Sequence, residues 1–214
     1  MIAKSIPVVM LVLLAFFNVQ AQYPKVENNL DKKVKLFLEE NATDWRDMNV
    51  PLSDGKILYD IIVKNGYTSA VEIGTSTGHS AIWIAWALSK TGGKLVTIEI
   101  NKDRYLEAKA NFKKAGVSKY IDVRLADAHD LVPNLKGEYD FVFCDADKYW
   151  YKNYFIDMDP KLKVRACYTA HNTALHVNGI GDFVEYVKSL DNYETTINRS
   201  SRSGISISYK KANK

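Results

Sequence analysis

Between residues 53 and 209 the apolar positions keep changing period, from helical spacing to short unbroken runs and back. Asp31–Glu40 has helical spacing, with Val34, Leu36, Phe37 and Leu38 as a short apolar face. Ser53 reads as an N-cap, Ile57, Leu58, Ile61 and Ile62 follow at helical intervals, and Gly66 closes that helix. Ala70–Ile73 is a short apolar run leading into a turn of Gly, Thr and Ser, and Ser80–Leu88 is a mostly apolar helix. Lys94–Ile100 reads as a strand, Asn101 caps a helix to Ala115 before Gly116, and Ile121–Leu125 is a third strand. Phe141–Cys144 is a fully apolar fourth strand, and Val164–Ala170 a fifth. A helix over Gly181–Leu190 precedes two alternating strands, Tyr193–Asn198 and Gly204–Tyr209, around a polar turn. Strands separated by helices predict an α/β domain, its mostly parallel sheet covered on both faces, with a C-terminal antiparallel hairpin. Ligands of such sheets bind beyond the carboxyl ends of the strands.

Composition narrows this picture only in places. A chain of 214 residues with 47% hydrophobic and 25% charged residues suits one folded domain and excludes a disordered chain. The net charge of +4 comes from scattered lysines, so pairs such as Lys113-Lys114 and Lys210-Lys211 read as solvated faces and no nucleic-acid partner is expected. The N-terminus differs from the rest. Lys4, the apolar run Ile6–Phe17 and Val19-Gln20-Ala21 describe a signal peptide over 1–21, leaving Gln22 first and the domain as 22–214, with a net charge of +3. The run is shorter than the ~20 apolar residues of a spanning helix, so an exported (periplasmic or secreted) protein with no stable membrane span is expected. A misassigned start would make it cytoplasmic. Cys144 and Cys167 both lie in strand-like runs. If residues 145 and 171 end adjacent parallel strands, the two cysteines sit roughly 10 Å apart along the sheet at ~3.3 Å per residue, beyond disulfide reach, and two free thiols follow.

Two features carry chemistry. Val71–His79 holds glycines at 74 and 78 between a strand and a helix, where a backbone without side chains lets a ligand come close. Glu99 ends the next strand, where nucleotide-binding α/β domains place an acid for ribose hydroxyls. Alone, the glycine turn is equally an ordinary tight turn. The spacing is not G-x-G-x-x-G, which counts against NAD.

With these motifs in order, the chain resembles the metal-dependent O-methyltransferases of the catechol and caffeoyl-CoA type over about 48–209. The resembling segments are Met48-Asn-Val-Pro51 with Gly55, Val71–Gly78, Glu99, Ala126-Asp-Ala128, Phe143–Lys148 and Arg202–Tyr209. The resemblance implies a Rossmann-like class I methyltransferase sheet and S-adenosylmethionine as cofactor. It implies binding by Met48, Val50, Glu72, Gly74, Thr75, Ser76, Gly78, Ser80, Glu99, Asp127, Ala128 and Asp145. It also implies a divalent metal on Asp145, and Lys148 as base for the acceptor hydroxyl. A phenol with a pKa of about 10 is a poor nucleophile at neutral pH, so a cation beside it and a lysine to take its proton both help. For Lys148 a surface salt bridge with Asp147 stands open beside the role of base.

The chain departs from the family at Thr169-Ala-His-Asn172, where Asp-Asn normally completes the metal site. Asn172 is kept, but His171 replaces a carboxylate, and imidazole suits softer metals than Mg²⁺. A metal on Asp145, His171 and Asn172 is therefore of open identity. A weakened site, a site lost with His171 as a loop residue, and His171 as catalytic base without metal are the alternatives. His79 and His129 read as loop side chains, His176 has no assignable partner, and Tyr149–Phe155 either lines an aromatic acceptor pocket or packs a helix on the sheet. The expected function is methyl transfer to a small, aromatic hydroxyl compound. Export away from cytosolic donor leaves open a non-catalytic descendant that binds a nucleoside-like or phenolic ligand. A homodimer is allowed.

Overall fold

The structure is a computed structural model that describes residues 23–45, 48–175 and 179–213. The signal-peptide expectation and His176 lie outside the described residues. The chain runs α1 (Asn29–Glu40), α2 (Leu52–Asn65), β1 (Ser69–Ile73), α3 (His79–Thr91), β2 (Lys94–Glu99), α4 (Lys102–Ala115) and β3 (Ile121–Leu125). It continues with α5 (Ala128–Asn134), β4 (Tyr139–Cys144), α6 (Tyr151–Met158), β5 (Leu162–His171), α7 (Ile180–Lys188), β6 (Tyr193–Asn198) and β7 (Ile205–Lys210). The strands form a seven-stranded sheet in the order β3-β2-β1-β4-β5-β7-β6. β1 to β5 are parallel, and β7 runs antiparallel to both β5 and β6. The strand order reverses between β1 and β4, which creates a crevice at the carboxyl ends of those two strands.

Both faces of the central strands are covered, as their unbroken apolar runs predict. On β4, Phe141 and Phe143 join a core with Leu58, Ile62, Trp83 and Trp86 on one face. Val142 and Cys144 join Tyr151, Phe155, Tyr168 and Phe183 on the other. The two cysteines are buried and free, because β4 pairs with β5 in a register that sets Cys167 opposite Phe141 and Ala170 opposite Cys144.

Two local expectations change. Leu36 is 54% exposed while Val34, Phe37 and Leu38 are buried; two residues turn a helix by about 200°, so Leu36 cannot share a face with Val34. α2 begins at Leu52 with Pro51 in the cap position, and the Ser53 hydroxyl turns instead to Asp54 Oδ1 at 3.2 Å. The short helices α5 and α6 carry too few turns to show a clear period. α6 buries Tyr151, Tyr154 and Phe155, so part of the aromatic cluster packs a helix on the sheet.

Candidate functional site

A cleft of about 770 Å³ opens at the switch point, and its walls come from the segments that follow β1, β2, β3, β4 and β5. The turn after β1 is shaped by the protein itself. Gly74 has φ +97°, and a Cβ there would lie 2.7 Å from the Asp145 carbonyl oxygen. Gly78 has φ +98°, and a Cβ there would meet the Phe112 ring at 2.5 Å. The first glycine lets the end of β4 close against the turn, and the second seats α3 on α4. Loop 48–50 is tied over this turn, because Asn49 Nδ2 donates to Thr77 Oγ1 (3.0 Å) and His79 Nδ1–H donates to the Val50 carbonyl (2.8 Å). His79 is thus the first residue of α3 and not a loop side chain. Its Nε2 accepts from Trp83 Nε1–H, its ring stacks on Trp45, and burial pushes its pKa down to about 4 against the pull of the Val50 hydrogen bond.

Glu99 ends β2 with its carboxylate at the cleft. The Ser76 N–H donates to Oε2 (2.7 Å) and the Asn101 N–H to Oε1 (2.8 Å). One backbone donor per oxygen leaves further lone pairs free to accept. Arg104 Nη1 donates to Ser76 Oγ (2.8 Å), which steadies a residue held at φ +50°. After β3, Asp127 caps α5 and accepts from both the N–H (2.9 Å) and the Nδ1 (2.7 Å) of His129. His129 Nε2 lies 3.4 Å from Asp147, so this histidine joins the loops after β3 and β4.

The ends of β4 and β5 hold a chain of charged groups that begins on α2. His171 Nε2 meets Asp54 Oδ2 at 2.9 Å and Nδ1 meets Asp145 Oδ2 at 3.0 Å. Asp145 Oδ1 is bonded by Lys148 Nζ, which also donates to Tyr151 Oη (2.9 Å). Ser201 Oγ donates to Asp54 Oδ2 (2.7 Å). Burial by itself would lower the His171 pKa; the hydrogen bonds and charges of Asp145 and Asp54 outweigh it and raise it to about 9. Burial would raise the Asp145 carboxyl, but the hydrogen bond and charge of His171, with Lys148, hold it below the usual carboxylate range.

Of the residues expected to bind the cofactor, Gly74, Ser76, Glu99 and Asp127 line this cleft, as do Met48, Val50, Thr75, Ser80, Ala128 and Asp145. Glu72 and Gly78 stand apart from it. Glu72 is fully buried beneath the turn, where Thr97 Oγ1 donates to its Oε2 at 2.5 Å. Burial pushes its carboxyl up to about 8, opposed by the Ser80 and Thr97 hydroxyls. Gly78 serves helix packing. Lys148 faces the cleft, and its carboxylate partner is Asp145 rather than Asp147. His171 is 4% exposed and ends β5, so it is not a loop residue. Asn172 follows it at φ +60° on the cleft wall. Sequence reasoning missed Asp54 and Ser201. An acid in the first turn of a helix reads as a complement to the helix dipole, and nothing local marks it as the partner of a residue on β5.

The O-methyltransferase family profile matches residues 25–182. Over 112 residues the chain is 34% identical to the catechol O-methyltransferase of Niastella koreensis, covering 50% of each. Over 135 residues it is 32% identical to the caffeoyl-CoA O-methyltransferase of Medicago sativa, covering 60% of this chain and 54% of that one. The chain thus spans about half the length of these curated relatives. In fold it is similar to an O-methyltransferase from Bacillus cereus solved in complex with SAH, with a TM-score of 0.77, 23% identity, and coverage of 93% of this chain and 97% of that one.

Proposed function

The chain belongs to the O-methyltransferase family, and we propose that it transfers the methyl group of S-adenosylmethionine to a hydroxyl oxygen of a small aromatic acceptor. One observation carries this reading: the cleft at the switch point brings the Glu99 carboxylate, the Gly74 turn, Asp145 and Lys148 to one cavity of about 770 Å³. The cavity suits an adenosyl ligand. Glu99 keeps lone pairs for ribose hydroxyls, and the Gly74 turn, closed against Asp145, lines the cleft beside it. Asp127 and Ala128 line the same cleft and, by the family resemblance, would lie beside the adenine.

When bound, S-adenosylmethionine supplies a sulfonium-activated methyl carbon open to in-line attack by oxygen. The residues of the chain align that attack. Met48 and Val50 cover the methionine end, held there by the Asn49–Thr77 and Val50–His79 hydrogen bonds. Lys148, fixed as an ammonium between Asp145 and Tyr151, donates to the acceptor oxygen and favours its ionised form, the proton leaving to solvent. Tyr149, 70% exposed, follows the lysine on the cleft wall and offers an aromatic surface to a planar acceptor. The names of the two relatives, for catechol and caffeoyl-CoA, support an aromatic hydroxyl compound.

Calorimetric titration with S-adenosylmethionine and its demethylated product, followed by transfer assays on catechol and caffeoyl-CoA, tests the proposal. Micromolar donor affinity with turnover is expected; absence of donor binding ends it. We further propose that residues 1–21 direct export. Protein recovered from cell fractions is then expected to begin at Gln22 outside the cytosol, and a cytosolic chain starting at Met1 contradicts it.

A further inference from the structure

We propose that this site holds no divalent cation, because the imidazole ring of His171, clamped between Asp54 and Asp145, takes the place a metal would need. The proposal rests on the transferase reading only for the meaning of the site; the clamp is a matter of geometry. A carboxylate can only accept hydrogen bonds, and a neutral imidazole carries one N–H. His171 meets a different aspartate at each ring nitrogen, at 2.9 Å and 3.0 Å. Both contacts are hydrogen bonds when both nitrogens are protonated, and then neither has a lone pair to give a metal.

The oxygens of the clamp are engaged as well. Asp54 Oδ2 also accepts from Ser201 Oγ, Asp54 Oδ1 accepts from Ser53 Oγ, and Asp145 Oδ1 is held by Lys148 Nζ with Tyr151 Oη at 3.4 Å. Charge balance points the same way. The two aspartates face two cations, His171 and Lys148, so the cluster is already neutral. A dication added here would leave two positive charges uncompensated beside His171 and Asp54 side chains that are 5% and 1% exposed, and a buried unpaired charge is strongly disfavoured. Among the described residues, no group of three or more His, Cys, Asp and Glu is placed to hold a metal ion. Asn172 adds one amide oxygen, too little to recruit an ion alone. The donor set therefore does not fit a divalent metal, and the positive charge facing an acceptor oxygen comes from Lys148.

The test uses the full chain freed of metals by chelation. Mn²⁺ is titrated against it and the free-ion electron paramagnetic resonance signal is followed, with Mg²⁺ and Zn²⁺ titrated calorimetrically in parallel. The expected result is an Mn²⁺ signal as large as in buffer, no heat with Mg²⁺ or Zn²⁺ and, where methyl transfer is seen, turnover unchanged by excess chelator. His171→Asp, checked for folding by circular dichroism, is expected to gain Mn²⁺ binding as three carboxylates replace the clamp. Stoichiometric Mn²⁺ or Zn²⁺ binding by the wild-type chain overturns the proposal. So does turnover that chelator abolishes and Mg²⁺ restores. Donor titration runs separately: its failure would remove the transferase reading, while the resonance signal alone still decides whether the site takes a cation.

Discussion

His171 Nε2 lies 2.9 Å from Asp54 Oδ2, across a separation of 117 residues in the chain. The contact pins the first turn of α2 to the end of β5, and both side chains are almost wholly buried. Removing one partner leaves a buried charge without compensation, which costs about 3–5 kcal/mol. Asp54→Ala is expected to lower the free energy of unfolding in urea by that amount, with Asp54→Asn losing less because it still accepts from Ser201 and His171. A change in Asp54→Ala below about 1 kcal/mol, the scale of an exposed pair, would contradict the buried clamp.

Glu99 is expected to dominate donor affinity. A hydrogen bond to a charged group is worth about 1.5–3 kcal/mol, which corresponds to roughly tenfold to a hundredfold in Kd. Calorimetry on Glu99→Gln should show a loss within this range, with the melting temperature of the apo protein changing less than in Asp54→Ala. Unchanged affinity would remove Glu99 from the donor site.

Gly74 and Gly66 separate conformational cost from steric cost. Both have positive φ, but a Cβ at 66 meets open space while one at 74 meets the Asp145 backbone at 2.7 Å. Gly66→Ala is expected to cost about 1–2 kcal/mol, the left-handed penalty alone. Gly74→Ala should exceed it by about 1–3 kcal/mol from overlap, and should weaken donor binding as the end of β4 is displaced. Equal destabilisation of the two variants in chemical melts would show that β4 does not press on the turn.

Two buried groups give opposite pH slopes. His79 has a folded pKa near 4 against an ordinary 6.5, so the unfolded chain binds the proton first and stability is lost as pH falls from 6.5 to 4. Glu72 is raised to about 8 from 4.5, so its contribution is complete below pH 4.5 and is lost as pH rises to 8. The windows overlap, and variants are needed to separate them. Relative to His79→Asn, wild-type stability should drop towards low pH; relative to Glu72→Gln, it should drop towards high pH. A parallel pH profile in either comparison would contradict that assignment.

The thiols should be silent in the folded state. Cys144 and Cys167 are fully buried, and burial pushes the Cys144 pKa up to about 12, opposed chiefly by Tyr168 and Lys148. Ellman's reagent is expected to react only after unfolding, and then with both. Rapid labelling of the native protein would mean that β4 and β5 open locally.

Much of the architecture could be read from residue order. The unbroken run Phe141–Cys144 marked a strand buried on both faces, the Asn101 and Gly116 boundaries of α4 held to the residue, and the alternating tail formed the hairpin. The errors were local competitions. At Ser53 the hydroxyl had a second acceptor in Asp54, and at Leu36 an apolar residue lay on the wrong side of the helical turn. Among the site residues, those on backbone turns at strand ends could be placed because their position follows from connectivity. Glu72 and Gly78 belonged to the same motif, yet one points beneath the turn and the other into a helix contact.

Residue order along the chain settles the kinds of element, their succession and the acid and glycines at the strand ends, since these depend on period, caps and turns within a few residues. Which charges share one buried volume is settled by packing. Asp54, His171, Asp145 and Lys148 become neighbours because α2 lies against the ends of β4 and β5. Low-dielectric surroundings then make each proton's position depend on all of these charges together, and no stretch of sequence contains that set.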